Sequence, residues 1–217
     1  MSLRFDLVLE SAGWLAQGLA MTYFVALVSI VVGLALGLIF ATARSSSLLI
    51  LRAPAIVYIN FFRGLPLIAF LIWLYFGVTV AFNFQLSALS AGIACLSIQA
   101  SAYLAEIYRA GLQAIPQAQT QAALSLGLTP WQAFRTVRFP QALRVIFPAI
   151  GNEFIGLIKG SALVSVLGVF ELMRSTQQRV LFYQLPLEFY TTAALLYIIS
   201  GIGIGRLFLI IERRMQT

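Results

Sequence analysis

The two longest stretches of this chain without a charged side chain are residues 11–43 and residues 64–105. An uncharged apolar run of such length suits a bilayer, because a helix needs about 20 residues to cross the hydrocarbon. The first run crosses once, with tilt or with its ends among the headgroups. The second is too long for one crossing, and Asn83 and Gln85 mark a turn that divides it. The pattern predicts a second span over roughly 54–81 and a third over roughly 86–112. A fourth span begins near Ala142 and is interrupted by Glu153, Lys159 and Gly160, and a fifth runs over roughly 188–211. Composition agrees, with 61% of the 217 residues hydrophobic and 10% charged. The mean hydropathy is +0.95, and a soluble domain of this length would need a far more charged surface. The expected fold class is therefore an all-α membrane protein of about five transmembrane helices, one domain over residues 1–217. Asp6 and Glu10 ahead of the first span do not fit a cleavable signal peptide.

Charge sets the orientation. Fourteen Lys+Arg stand against seven Asp+Glu, a net charge of +7. These basic residues flank apolar spans, so topology explains them and no nucleic-acid partner is expected. Loop one-two holds Arg44 and Arg52. Loop three-four holds Arg135, Arg138 and Arg144, with Arg109 at its edge, and the C-terminal end holds Arg206, Arg213 and Arg214. On the other side Arg4, Arg174 and Arg179 are diluted by Asp6, Glu10, Glu171 and Glu188. The N-terminus is expected outside and the C-terminus in the cytoplasm. The chain has no histidine and one cysteine, Cys95, which excludes an internal disulfide and a Cys/His metal cluster. No catalytic residue, metal or cofactor is expected on it. Ile158-Lys159-Gly160-Ser161 is no phosphate-cradling loop, so any ATP hydrolysis belongs to a separate subunit.

Loop three-four, about residues 113–141, is the most informative segment. The run from Pro116 to Gly127 is rich in Ala and Gln, so it favours a short helix, and Gly127 suits the left-handed residue that ends it. Thr129 reads as an N-cap, with Pro130 at the first helical position and Gln132 completing a capping box. The product is a helix, a sharp glycine turn and a second helix ending at Phe139-Pro140. Such a hairpin either docks a partner or merely caps the bundle.

Charges at membrane depth point to function by default. Glu153 and Lys159 lie six residues apart, about 120° around an unbroken helix, so they meet only if the helix is interrupted. Gly156, Gly160 and Ser161 supply the means. Either the two residues neutralise each other, or Glu153, Lys159, Gly160 and Ser161 line a polar substrate site at a broken helix. Glu106 and Arg109 are spaced to pair locally. Gly33 and Gly37, and Gly201 and Gly205, suit helix packing. Arg63 lies beside an expected kink at Gly64 and Pro66, and Trp14 and Trp73 suit interfacial anchoring.

The run Gln121-Ala122-Ala123, Gly127 and then Phe139-Pro140-Gln141-Ala142-Leu143-Arg144 resembles the Glu-Ala-Ala loop of ABC importer permeases. Phe62-Arg63-Gly64-Leu65-Pro66, Ala102-Tyr103-Leu104-Ala105-Glu106-Ile107-Tyr108-Arg109, Gly151-Asn152-Glu153-Phe154-Ile155 and Lys159-Gly160-Ser161-Ala162-Leu163 resemble signatures of its polar-amino-acid branch. Together they cover nearly the whole chain. The resemblance implies the five-helix core of the type I importers, in a bacterial cytoplasmic membrane. It implies that Gln121, Ala122, Ala123, Gly127 and Pro140 belong to a coupling element docking into an ATP-binding cassette subunit, where ATP and Mg would bind. Gln121 stands where the family usually has Glu, which removes a carboxylate that can pair with the ATPase, and Phe139 replaces a usual Leu. Further implied partners are a second permease copy or paralogue, a periplasmic or lipid-anchored substrate-binding protein, an amino-acid substrate and membrane lipid. The family's intramembrane amino-acid site lies along the fourth span. Relatives often carry Asp or Asn-like groups where Gly160 stands, while Glu153 suits a cationic side chain such as arginine or lysine; glutamine or another polar amino acid is the alternative. Two other classes compete. A secondary transporter would show inverted repeats or an acid/His relay, and a scaffold without transport would not need the Glu153/Lys159 interruption.

Overall fold

The first uncharged run winds into a single 33-residue helix, α2 (Ala12–Arg44), behind a short α1 (Phe5–Glu10). This is a computed structural model, and it describes residues 3–83 and 85–216. After α2 come α3 (Leu49–Gly64) and α4 (Leu67–Ile72). Helix α4 continues through π-helical winding at Trp73–Val78 into α5 (Thr79–Phe82), which Asn83 ends in a left-handed conformation. Ser87 caps α6 (Ala88–Gln113) by accepting from the Ser90 N–H. The loop region holds α7 (Gln117–Ser125), α8 (Pro130–Ala133) and a π-helical turn, Phe134–Arg138. Then follow α9 (Phe139–Gly160), a 3-10 stretch (Ser161–Leu167), α10 (Leu172–Tyr183) and α11 (Pro186–Gln216). No strand occurs among the described residues.

Four helical stretches are each long and apolar enough to cross a membrane: Ala12–Arg44, Ala88–Gln113, Pro130–Leu167 and Pro186–Met215. The expected second span is broken. Its two parts, Leu49–Gly64 and Leu67–Ala81, meet at 107° and make a fifth crossing only when taken together. Pro66 is the cause, because it lacks an N–H and pushes the residue before it out of the helical region. Leu65 is accordingly extended, with ψ of 129°. The break frees carbonyls that lipid cannot satisfy. Gln99 of α6 serves them, its Nε2 donating to Leu65 O at 2.9 Å and Phe62 O at 3.4 Å. The Tyr103 hydroxyl donates to Arg63 O at 3.2 Å, and the Arg63 guanidinium lies over the Tyr103 ring.

α2 packs most extensively on α6. In lipid the burial of apolar surface does not drive helices together, so close van der Waals contact must. Gly37 permits it: a Cβ there would stand 2.9 Å from Leu104 Cβ and 3.0 Å from Ser101 O. Gly33 faces Ala100 and Leu104 one turn away, so this pair does serve packing. Val25, Ala26 and Ile30 of α2, Leu96 and Leu104 of α6 and Ile158 of α9 form the central core. α11 lies at the margin, with only 6% of its most apolar window buried, and leaves a long apolar face outward.

The polar stretch between the fourth and fifth spans forms α10. Glu171 starts it, fully buried, and its carboxylate accepts from the N–H groups of Met173 and Arg174 and from the Tyr197 hydroxyl. Beside it the Leu172 N–H donates to Thr22 Oγ1 of α2. Burial pushes the Glu171 carboxyl above its ordinary range, and the donors around it oppose that rise.

Candidate functional site

The loop between α6 and α9 folds as its residues predict. Gly127 sits at φ +85° and ends α7 in a Schellman arrangement, with Leu128 N–H on Ala123 O and Gly127 N–H on Leu124 O. Thr129 Oγ1 accepts from Gln132 N–H at 3.3 Å, and Gln132 Oε1 accepts from Thr129 N–H at 2.8 Å. Gln121 and Ala122 are exposed, while Ala123 is buried and seats the hairpin. Three large apolar side chains, Leu124, Leu126 and Trp131, are exposed on this otherwise polar loop, Leu126 at 84%. Their residue types carried no such signal in the sequence, since the same letters fill the spans. Exposed on a loop outside the spans, they offer apolar surface suited to a partner.

One expectation for this loop is corrected. The second helix does not end at Phe139-Pro140. It passes through the π-helical turn Phe134–Arg138 straight into α9, with Pro140 in that helix's first turn. A proline removes one intrahelical donor and crowds the carbonyl four residues back, and π winding absorbs both without a break. Loop and fourth span are thus one continuous piece. Arg138 ties it down by donating from Nη2 to Leu112 O at 3.1 Å.

The intramembrane candidates are not brought together. α9 stays regular through Gly160, so Glu153 and Lys159 remain about 120° apart. No ion pair joins them among the described residues. Lys159 is exposed and lines a cleft of about 690 Å³ between α9 and α11, with Asn152, Ile155, Tyr197 and Gly201. Half-buried Glu153 falls on the helix face of Gly160, seven residues on and about 20° away. A Cβ at Gly160 would look toward Leu67 and Leu96, each 3.4 Å away. Ser161 is buried, and its hydroxyl donates to Ile158 O within its own helix. The expected interruption begins only at Ser161 and is a tightening into 3-10 winding, ended by Gly168 at φ +84°. Tight winding keeps backbone groups paired, so it does not open a row of freed carbonyls.

Glu106 pairs with Arg109 as its spacing predicts. It also accepts from Arg44 Nη1 at 2.6 Å, which joins the ends of α2 and α6. Trp14 is packed edge-on against Phe170 with the Arg179 guanidinium over its ring, whereas Trp73 is exposed. Gln99, which satisfies the broken second span, is the polar residue that sequence reasoning missed. A carboxamide at the centre of the expected third span was the available signal.

Comparison with known proteins agrees with this architecture. The sequence model of binding-protein-dependent transport system inner membrane components matches residues 33–217. The arginine transport system permease protein ArtQ of Bacillus subtilis (strain 168) is 33% identical over 217 residues, covering 100% of this chain and 99% of its own. The glutamine transport system permease protein GlnP of Escherichia coli (strain K12) is 32% identical over 203 residues, 93% of each chain. A crystal structure of an amino acid ABC transporter with histidines superposes with a TM-score of 0.93 at 36% identity, covering 99% of this chain and 100% of that one. The fold is that of a type I ABC importer permease. With the match covering most of its length, the chain belongs to the family of binding-protein-dependent transport system inner membrane components.

Proposed function

We propose that this chain is the membrane-spanning subunit of an ATP-driven importer that moves polar amino acids, cationic ones foremost, across a bacterial cytoplasmic membrane. The observation that carries the reading is the loop between α6 and α9: a capped two-helix hairpin with an exposed apolar face, wound without interruption into the fourth span. A hairpin that only covered the bundle would bury Leu124, Leu126 and Trp131. Here they await a partner, and the continuous helix behind them carries its movement into the membrane. That partner is an ATP-binding cassette subunit, which holds ATP and Mg, while this chain hydrolyses nothing itself. A second permease copy or paralogue covers the open face, and a substrate-binding protein delivers the amino acid from outside. The N-terminus is outside and the C-terminus cytoplasmic. Family membership leaves the secondary-transporter and scaffold alternatives without support.

Glu153 favours a cationic substrate. It is a half-buried carboxylate within a span that has no ion pair among the described residues. A charge at that depth calls for a cation, and Lys159 on another face of α9 does not supply it. An arginine permease among the relatives is consistent with this, and a glutamine permease at similar identity keeps a neutral polar substrate as the second reading. The test is Glu153→Gln in the reconstituted complex. Arginine uptake should fall about 10-fold or more, since a charge-assisted bond is worth ~1.5–3 kcal/mol. Assembly and basal ATP hydrolysis should persist, because no partner of Glu153 within the chain is orphaned. Parent-like arginine uptake by a well-assembled mutant would overturn the cationic reading, and glutamine uptake retained alongside it would establish the second.

A further inference from the structure

Two clefts run together where the C-terminal ends of α2 and α6 meet the root of the loop. One, of about 410 Å³, is polar and is lined by Arg44, Arg52, Arg109 and Gln113 among others. The other, of about 400 Å³, is an apolar slot walled by Leu38 of α2, Leu112 of α6, Phe134, and Phe139 and Leu143 of α9. Ser45 and Arg109 belong to both walls, so the slot opens into the polar cleft.

The charges there do not cancel. Glu106 is engaged by both Arg44 and Arg109. Arg52 is exposed, and its guanidinium has no hydrogen bond or ion pair among the described residues. Three arginines against one carboxylate leave an excess of two positive charges at the mouth of an apolar slot. A ligand that matches both parts has an anionic head and a hydrocarbon tail. Free phosphate would suit the arginines and leave the slot unfilled, and so would an acidic protein surface.

We propose that this compound cleft holds one anionic phospholipid of the cytoplasmic leaflet, its phosphate between Arg52 and Arg109 and one acyl chain in the slot between α2, α6 and α9. Basic pockets between helices on the cytoplasmic side are where anionic headgroups bind. The site has a consequence for coupling. Phe134 and Phe139 wall the slot, and they bracket the π-helical turn that joins the docking hairpin to the fourth span. The lipid would therefore brace the joint through which the partner's movement enters the membrane. Only the choice of leaflet rests on the orientation proposed above.

The experiment uses the delipidated complex of this chain with its ATPase in neutral detergent. Lipid retention is read by native mass spectrometry and stabilisation by the shift in thermal midpoint. Four probes are compared at equal concentration: dioleoyl phosphatidylglycerol, dioleoyl phosphatidylcholine, dihexanoyl phosphatidylglycerol and inorganic phosphate. The long-chain anionic lipid should be retained and raise the midpoint, and the other three should not. Arg52→Gln, at an exposed side chain without a partner among the described residues, should lower that retention roughly five-fold, the weight of one arginine near an anionic surface, with the ATPase still bound. Equal effects of phosphatidylcholine would mean a general detergent-replacement effect and overturn the proposal. So would an equal shift from phosphate or the short-chain lipid, which would mean an anion site alone. If Arg52→Gln releases the ATPase and leaves lipid retention unchanged, the surface belongs to that subunit. Binding in detergent does not depend on which side faces the cytoplasm, so a failed orientation leaves this result standing.

Discussion

Gly127 shows how one residue can set the shape of an element. It is held at φ +85°, and a Cβ added there would meet nothing within 4 Å. Space is therefore not the constraint; backbone conformation is. Gly127→Val should cost about 1–2 kcal/mol at this position, enough to let α7 swing away from α8. The spans do not depend on that turn, so the mutant should insert and assemble as the parent does. Its ATP hydrolysis should lose its link to transport, or the ATPase should separate on purification. Coupled transport and full ATPase retention would count against the docking role. This residue, Thr129 and Gln132 were legible in the sequence because a helix cap is settled by the few residues that make it. Glu153 and Lys159 were legible only as charges at depth. Whether they meet depends on winding between them that no local signal reports, and α9 stays regular where Gly156 and Gly160 would have allowed a break.

At the scale of elements, proline was read correctly as a disturbance, but its outcome differed by context. Pro66 breaks a span outright, whereas Pro140 is absorbed by π winding and Pro54 and Pro148 sit inside helices. Sequence reasoning sees the missing N–H and not the neighbour that compensates for it. At the Pro66 break that neighbour is Gln99. Gln99→Leu would leave Phe62 O and Leu65 O without their donor in a region poor in water, a loss of ~1–3 kcal/mol for a buried unsatisfied group. The thermal midpoint of the purified complex should fall, and Tyr103→Phe, at the exposed edge of the same break, should lower it less. An unchanged midpoint in Gln99→Leu would show that the carbonyls find other partners.

For the whole molecule, the number of spans was readable from apolar length, and the bend of the second was not, because hydropathy carries no angle. The sidedness proposed here has a direct check. A tag after Thr217 should be inaccessible from outside intact cells, and a tag before Met1 should be accessible. The reverse pattern would refute the reading of the arginine bias. The purified chain alone should hydrolyse no ATP, and hydrolysis should appear on adding the ATP-binding subunit.

The buried contact between Leu172 N–H and Thr22 Oγ1 closes a separation of 150 residues. Glu171 adds a tie to Tyr197 at the same point. During synthesis α2 leaves the ribosome first and must wait in the membrane until α10 and part of α11 have followed. The knot is thus among the last events of biogenesis. Until it closes, Thr22 has no long-range partner, and α10 has nothing to hold it against α2. A chain cut short before Tyr197 could still join Leu172 to Thr22 but would leave the Glu171 carboxylate without its Tyr197 donor, so the junction is sealed only once α11 has begun to form.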